Sequence, residues 1–177
     1  MIYTCTIDTP LGTMTAAAKE EALVGLWFVG QKYYPSETDG WNREPDLPVF
    51  AAVRDYLARY FSGSPDTPDV PLDPRGSPFQ KGVWGILSTI PIGQVTTYAQ
   101  IARQMAHHLG KASMSAQAVG GAVGHNPISI LIPCHRVIGA DGSLTGYAGG
   151  LDRKAALLEV EKANLSAGDS RSLGRFR

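Results

Sequence analysis

The chain has 177 residues, of which 44% are hydrophobic and 18% charged, fractions that are ordinary for a globular protein. Its two cysteines and four histidines exclude a disulfide framework and show no zinc-ligand spacing, so we expect no metal site and a reducing compartment. The sequence has no run of about 18 apolar residues and no signal-peptide pattern. We therefore expect a cytoplasmic protein with no membrane partner.

The charge is unevenly distributed, although its formal sum is zero. Residues 1–75 contain 6 Lys and Arg against 11 Asp and Glu, whereas residues 76–177 contain 10 against 5. The basic C-terminal part could face an anion such as DNA. Chance asymmetry between two solvated surfaces is the alternative.

The first 63 residues predict an α/β domain. Residues 2–7, 13–18 and 23–29 are typical of three antiparallel strands, with a hairpin connection at residues 19–21. Apolar residues from Phe50 to Phe61 recur at helical spacing and predict a helix that packs on the sheet. Cys5 lies on the Tyr3 and Ile7 face of the first strand, where a core role is expected.

Residues 64–75 contain four prolines and no periodicity, which indicates a connector between two domains. The C-terminal domain would then span residues 76–177, with a flexible tail from about residue 163. A helix is predicted from Phe79 to Ile90, and a second one after Thr97, a plausible N-cap. A third helix begins near Ser115, so the second and third form a helix-turn-helix.

This third helix contains Gly120 and Gly121 side by side, although glycine costs about 1 kcal/mol relative to alanine inside a helix. A smooth surface of alanine and glycine allows close approach of another backbone. That backbone could belong to a neighbouring helix of the core or to the wall of a DNA groove. A helix that reads the major groove would carry more polar side chains than Gln117.

The segment from Gly124 to Gly150 contains the most informative pattern. An apolar run, Ile128 to Ile132, predicts a strand that leads to Pro133-Cys134-His135-Arg136 and then to a glycine-rich loop. A cysteine is nucleophilic as its thiolate, and a neighbouring histidine or cation lowers the thiol pKa. His135 is a candidate base by proximity alone. A buried structural cysteine is the alternative interpretation of Cys134.

The motifs PCHRVIG and TGYAGG resemble the active-site signature of the O6-alkylguanine-DNA alkyltransferases, also called methylated-DNA–cysteine methyltransferases. The resemblance covers nearly all of residues 76–162 and, more loosely, the N-terminal part. It implies an α/β fold class: a small ribonuclease-H-like α/β domain followed by a mainly helical, winged-helix-like DNA-binding domain. The activity that it implies is direct repair of O6-alkylguanine, and also of O4-alkylthymine, by irreversible transfer of the alkyl group to Cys134.

The resemblance also implies the roles of individual residues. Cys134 would accept the alkyl group, His135 would act on Cys134 through a water, and Glu161 would orient His135. Tyr98 would help to rotate the base out of the duplex and to protonate it. Asn126 would tie the helix-turn-helix to the active-site loop. Arg136 would support the terminal helix and loop, and we also place it among the DNA-contacting residues, which are Ser115, Ala116, Gln117, Gly120 and Arg136. The substrate pocket would comprise Ser129, Val137, Thr145, Tyr147 and Ala148.

Two positions depart from the family pattern. Gln117 stands where many relatives have the arginine that fills the gap left by the extruded base, so we expect a weaker finger. Ala148 stands where some relatives have serine, so one side-chain hydrogen bond to the base is missing. The implied partner is double-stranded DNA, bound through the minor groove by a monomer, with no cofactor and no small-molecule methyl donor.

Three other classes of protein compete with this interpretation. A Cys-His hydrolase would need an acyl pocket and oxyanion donors, and the helix-turn-helix favours DNA instead. The second competing class is a DNA-binding regulator. The third is a catalytically weak lesion-binding protein, and the presence of Cys134 argues against this class because alkyltransferase-like proteins lack the acceptor cysteine.

Overall fold

The computed structural model describes residues 1–64 and 66–163. The N-terminal part forms the predicted antiparallel meander, β1 (Ile2–Thr9), β2 (Gly12–Lys19) and β3 (Ala22–Phe28). A short strand that was not predicted, β4 (Asn42–Arg43), pairs in parallel with β1, so the sheet is mixed and its order is β3-β2-β1-β4. Helix α1 (Pro48–Ser62) covers one face of this sheet, and Cys5 is buried between them in the core, as expected.

The C-terminal part is mainly helical. It contains α2 (Pro78–Leu87), β5 (Thr96–Thr97), α3 (Tyr98–His108), α4 (Ala116–Gly124), a 3-10 helix (Cys134–Arg136), β6 (Val137–Ile138) and α5 (Leu151–Ala163). Thr97 caps α3 through a capping box with Gln100, and Ser115 caps α4 by accepting a hydrogen bond from the Ala118 amide. The predicted helix-turn-helix is therefore present as α3 and α4. The indole of Trp84 in α2 donates to the carbonyl of Ala122 and fixes α4 on the core.

The predicted strand at residues 128–132 was wrong. This segment forms turns in which Ile130 adopts a positive φ of 70°, a rare conformation for a β-branched residue. The Asn126 side chain competes with strand pairing, because it bonds the amide of Ile128 and the carbonyls of Ile128 and Ile132. The apolar run reflects complete burial rather than a strand.

The two parts of the molecule meet along β3, one of the two edge strands of the sheet. The backbone of Leu26 bonds Pro127 and Ser129 on either side of Ile128, and Leu23 bonds Pro71 and Asp73 of the connector. Both bridges cover a sheet edge that would otherwise expose unpaired backbone groups. No helix of the described part of the chain is long and apolar enough to span a membrane. The tail expected from about residue 163 lies outside the described residues, apart from the backbone of Ala163.

Candidate active site

A cavity of about 540 Å³ lies at the junction of the helix-turn-helix, the glycine-rich loop and the N-terminal domain. Cys134 lies at its wall, and the 3-10 turn that contains it follows the Asn126-braced segment. The cavity is lined by Lys32, Tyr33, Tyr98, Gly120, Gly121, Val123, Gly124, Cys134, Thr145, Gly146, Tyr147, Ala148, Gly150 and Leu151. The thiol is thus placed where a ligand bound against α4 and the loop could reach it.

The Cys134 thiol is nearly inaccessible, with 5% of the residue exposed. Burial raises the pKa of Cys134, and the side chain of Asn126 and the charge of Lys154 lower it by less. The expectation that neighbouring groups give a low-pKa thiolate therefore fails for the resting protein. The thiol stays protonated at neutral pH, and a base must remove its proton during the reaction.

His135 and Glu161 form a buried pair with no exposed surface. His135 Nε2 contacts Glu161 Oε2, and Arg136 Nε donates to Glu161 Oε1 at 2.7 Å. Burial would raise the pKa of Glu161, but the interactions with His135 and Arg136 outweigh it and hold the pKa well below its usual range. An ionised carboxylate can only accept, so Nε2 carries the proton of the neutral imidazole.

The other ring nitrogen, His135 Nδ1, has no hydrogen-bond partner among the described residues. Burial lowers the pKa of His135, although Glu161 opposes this effect. A neutral imidazole with an unprotonated Nδ1 is the form that can accept a proton from the adjacent cysteine. Of the three predicted groups, the base and the orienting carboxylate, His135 and Glu161, are in direct contact.

The glycine-rich loop is held by two side chains from different helices. The Tyr98 hydroxyl donates to the carbonyl of Thr145 at 3.0 Å. The fully buried Lys154 donates to the carbonyls of Val137, Thr145 and Gly146. Burial lowers the pKa of Lys154 to about 8. Together these bonds fix the loop that closes the cavity over Cys134.

The remaining pocket residues divide into two groups. Thr145, Tyr147 and Ala148 line the cavity, as predicted, whereas Ser129 and Val137 are buried and do not line it. The Tyr147 hydroxyl is buried and has no partner in hydrogen-bond geometry among the described residues, although Ser129 is near enough to influence it. Burial raises the pKa of Tyr147 well above its usual range, so this hydroxyl is available as a donor to a ligand.

The first turn of α4 exposes Ser115, Ala116 and Gln117, three of the residues predicted to contact DNA. A Cβ on Gly121 would meet nothing within 4 Å, and one on Gly120 would meet only the ring of Tyr98, at 3.9 Å. No helix of the core requires these glycines. The two possible partners of this glycine surface were a neighbouring helix of the core and the wall of a DNA groove. Within the described residues, the first is therefore excluded.

Arg136, by contrast, does not fit a DNA contact. The residue is 6% exposed, and its guanidinium binds Glu161 and the carbonyl of Ile90 inside the protein. Its position agrees with the other predicted role, support of the terminal helix and the loop.

Within residues 1–64 and 66–163, no three His, Cys, Asp or Glu side chains are grouped as a metal site would require.

The site residues that were not predicted include Lys154, Tyr60, Lys32 and Tyr33. Lys154 lies seven positions before Glu161, a spacing of two helical turns that places both on the same face of α5, and this spacing could have identified it. Tyr60 donates from its hydroxyl to Glu161 Oε2 at 2.6 Å, but in the sequence it is one of several aromatic core residues. Lys32 and Tyr33 reach the cavity from a polar loop whose sequence contains no comparable signal.

Two family models match the chain. One, described as "6-O-methylguanine DNA methyltransferase, DNA binding domain", matches residues 78–163. The other, described as "6-O-methylguanine DNA methyltransferase, ribonuclease-like domain", matches residues 1–74. Both helices of the helix-turn-helix, together with Cys134, His135 and Glu161, fall within the first match.

Similar proteins are known from several organisms. A methylated-DNA–protein-cysteine methyltransferase of Mycolicibacterium paratuberculosis is 47% identical over 94% of this chain and 96% of its own length. The protein of that name from Haemophilus influenzae is 38% identical over 91% and 87%. A crystal structure of Mycobacterium tuberculosis OGT in complex with DNA has a TM-score of 0.82 and 42% identity, over 99% of both chains.

Proposed function

Since the chain belongs to the 6-O-methylguanine DNA methyltransferase family, whose activity is DNA repair by alkyl transfer to a protein cysteine, we propose that Cys134 is the acceptor of the alkyl group. The observation that carries this assignment is the position of Cys134 at the wall of the cavity that α4 and the glycine-rich loop enclose. The chain's second cysteine, Cys5, is buried in the core of the N-terminal domain.

The geometry of the site supports the following reaction. His135 Nδ1 takes the thiol proton of Cys134 through a water molecule, and Glu161 stabilises the imidazolium that forms. The sulfur then attacks the alkyl carbon, the carbon–O6 bond breaks, and its electron pair stays on the guanine. Burial raises the pKa of Tyr98, so its hydroxyl remains protonated and can turn from the Thr145 carbonyl, its partner in the resting protein, to donate to the departing base.

The alkylated base must leave the duplex to reach this thiol, because O6 of a stacked guanine faces into the helix. We assign the extruded base to the cavity, between Tyr147 and the backbone of Ala148, with Thr145 limiting the size of the alkyl group. The exposed first turn of α4 carries Gln117 as the residue that enters the duplex, and Asn126 braces the turn that joins α4 to Cys134.

The small residues of α4 favour the minor groove. Ala116, Gly120 and Gly121 offer no base-reading side chains but permit close approach to the sugar-phosphate backbone. Binding through the minor groove would let the protein search for damage without reading the base sequence. Tyr33 and Lys32, at the same cavity, come from the N-terminal domain, so both domains would face the DNA.

Further parts of the proposal follow from the chemistry. A thioether at Cys134 has no simple route back to a thiol, so each molecule would act once. The protein would act without a soluble methyl donor or a cofactor, and as a monomer.

The domain boundaries and the location of the protein belong to the same proposal. We assign residues 1–63 and 76–177 to the two domains, with residues 64–75 as the connector. We place the protein in the cytoplasm, with its DNA substrate. O4-alkylthymine is included among the substrates on the ground of the family resemblance.

Intact-protein mass spectrometry after mixing with a duplex that contains one O6-methylguanine tests the proposal. The protein is expected to gain one methyl group, about 14 Da, on Cys134. The Cys5→Ser variant should gain the same mass and Cys134→Ser should gain none. Lesion-selective binding without any mass gain would instead identify a lesion-binding protein with little or no transferase activity.

A further inference from the structure

The N-terminal domain contacts the catalytic pair through the side chain of Tyr60. Tyr60, in the last turns of α1, donates its hydroxyl proton to Glu161 Oε2 at 2.6 Å, across 101 residues of sequence. Tyr60 is 1% exposed, and Glu161 and His135 have no exposed surface. A hydrogen bond to a carboxylate is strong when both groups are excluded from water.

The oxygen that Tyr60 binds is the one that His135 contacts. Oε2 of Glu161 accepts hydrogen bonds from His135 Nε2, from the Tyr60 hydroxyl and, at 3.1 Å, from Arg136 Nη2. Oε1 accepts a hydrogen bond from Arg136 Nε. Tyr60 thus competes with His135 for electron density on the same atom, which a tyrosine placed only for packing would not do.

We propose that Tyr60 is a positioning residue for alkyl transfer, which fixes the Glu161 carboxylate and sets how strongly that carboxylate stabilises the protonated form of His135. The proposal rests on the proposed function, because alkyl transfer is the reaction in which His135 accepts a proton. It gives the N-terminal domain a direct part in the chemistry, in addition to the cavity wall that Lys32 and Tyr33 supply.

The charges around the pair define what a change at Tyr60 would do. The titratable and charged groups are Tyr56 and Tyr60 from α1, Cys134 and Arg136 from the active-site turn, Tyr147 from the glycine-rich loop, and Lys154 and Glu161 from α5. Removal of the Tyr60 hydroxyl alters no formal charge. It frees one lone pair of Oε2, so the carboxylate interacts more strongly with the imidazolium and the pKa of His135 rises.

The experiment measures the rate of methyl transfer from O6-methylguanine duplex against pH for the wild-type protein and for Tyr60→Phe. Transfer fails at low pH, once His135 is already protonated and cannot act as base. We expect the acid limb for Tyr60→Phe to move to higher pH by roughly half a unit. We also expect the plateau rate to fall by roughly three- to tenfold, because the imidazole is held less firmly.

Tyr56→Phe is the matched control. Tyr56 lies one turn earlier in α1, is 2% exposed, and its hydroxyl makes no hydrogen bond to Glu161 in the described structure. This variant loses the same atom from the same helix and should keep the wild-type acid limb. Affinity for DNA should be unchanged in both variants, since neither residue lines the cavity.

An acid limb that does not move in Tyr60→Phe overturns the proposal, even if the plateau rate or the melting temperature falls. NMR titration of His135 in DNA-free protein tests the same shift without any reaction, and a pKa that stays at the wild-type value also overturns the proposal. Absence of transfer in the wild-type protein would refute the proposed function, whereas the titration would still report on Tyr60.

Discussion

A lysine with no exposed surface is unusual, and Lys154 is such a residue. Its ammonium group is held by three backbone carbonyls, two of which, Thr145 and Gly146, belong to the loop over the cavity. The same charge lowers the pKa of Cys134, against the larger effect of burial. Lys154 therefore links the shape of the pocket to the electrostatics of the nucleophile.

Replacement of this lysine tests both effects. In Lys154→Met the loop carbonyls lose their donor and the forming thiolate loses a nearby cation, so we expect the transfer rate to fall by roughly tenfold or more. The rate is measured in single-turnover reactions with O6-methylguanine duplex. Lys81→Met, at an exposed position of α2, serves as the control. A Lys154→Met rate within about twofold of the wild-type rate would show that the loop needs no anchor.

Gln117 allows base extrusion to be separated from chemistry. It is exposed in the first turn of α4 and does not line the cavity, so Gln117→Ala should leave the stability unchanged. We expect this variant to transfer more slowly from duplex DNA, by roughly three- to tenfold, and at the wild-type rate from the free base O6-methylguanine, which needs no extrusion. Equal slowing on both substrates would place the role of Gln117 in the chemical step.

At the scale of the element, α4 combines poor helix propensity with an open surface. Gly121 is exposed and has free space where a Cβ would lie. Alanine there should stabilise the helix by up to about 1 kcal/mol. An exposed position without a methyl group is what the proposed close approach of α4 to DNA requires.

Gly121→Ala is thus expected to raise the melting temperature and to weaken binding to duplex DNA several-fold, as the added methyl group blocks close approach to the groove. Gly85→Ala is the matched control, since Gly85 is also an exposed helical glycine where an added Cβ would meet nothing within 4 Å, but lies in α2. It should gain stability and bind DNA normally. If Gly121→Ala also bound DNA with unchanged affinity, α4 would not contact the DNA at this residue.

Elements governed by local signals were predictable from the sequence, and elements governed by long-range contacts were not. Thr97 and Ser115 begin their helices because capping depends on neighbouring residues. The run from Ile128 to Ile132 was predicted as a strand because its burial gives no periodicity, whereas the Asn126 side chain folds it into turns. The bond from Tyr60 to Glu161 spans 101 residues and depends on how the two domains pack.

At the scale of the whole molecule, the active site depends on contacts between its two parts. β3 pairs with the segment that precedes Cys134, Arg153 of α5 donates to the carbonyl of Leu11, and Tyr60 reaches Glu161. The groups buried at this junction include the neutral His135 and the ionised Glu161. Loss of the junction would expose both groups, so their protonation is coupled to the stability of the fold.

This coupling predicts acid sensitivity with a defined sign. The pKa of His135 is lowered from 6.5 in the folded protein, mainly by burial, so below about pH 6.5 the unfolded chain binds a proton that the folded protein does not. The free energy of unfolding should therefore fall as the pH falls, at up to roughly 1.4 kcal/mol per pH unit from this group. Glu161 adds a similar loss only below its unfolded-state pKa of 4.5, because its folded pKa is also lowered.

Denaturant unfolding at pH 7 and pH 5 isolates the histidine contribution. The wild-type protein should lose about 1 kcal/mol or more over this interval beyond the loss in His135→Gln, which has no imidazole to protonate. His108→Gln, at an exposed position of α3, should lose as much as the wild-type protein does. The comparison uses the change with pH, so a lower overall stability of His135→Gln does not affect it. Equal losses in the wild-type protein and His135→Gln would mean that His135 binds a proton as readily in the folded protein as in the unfolded chain.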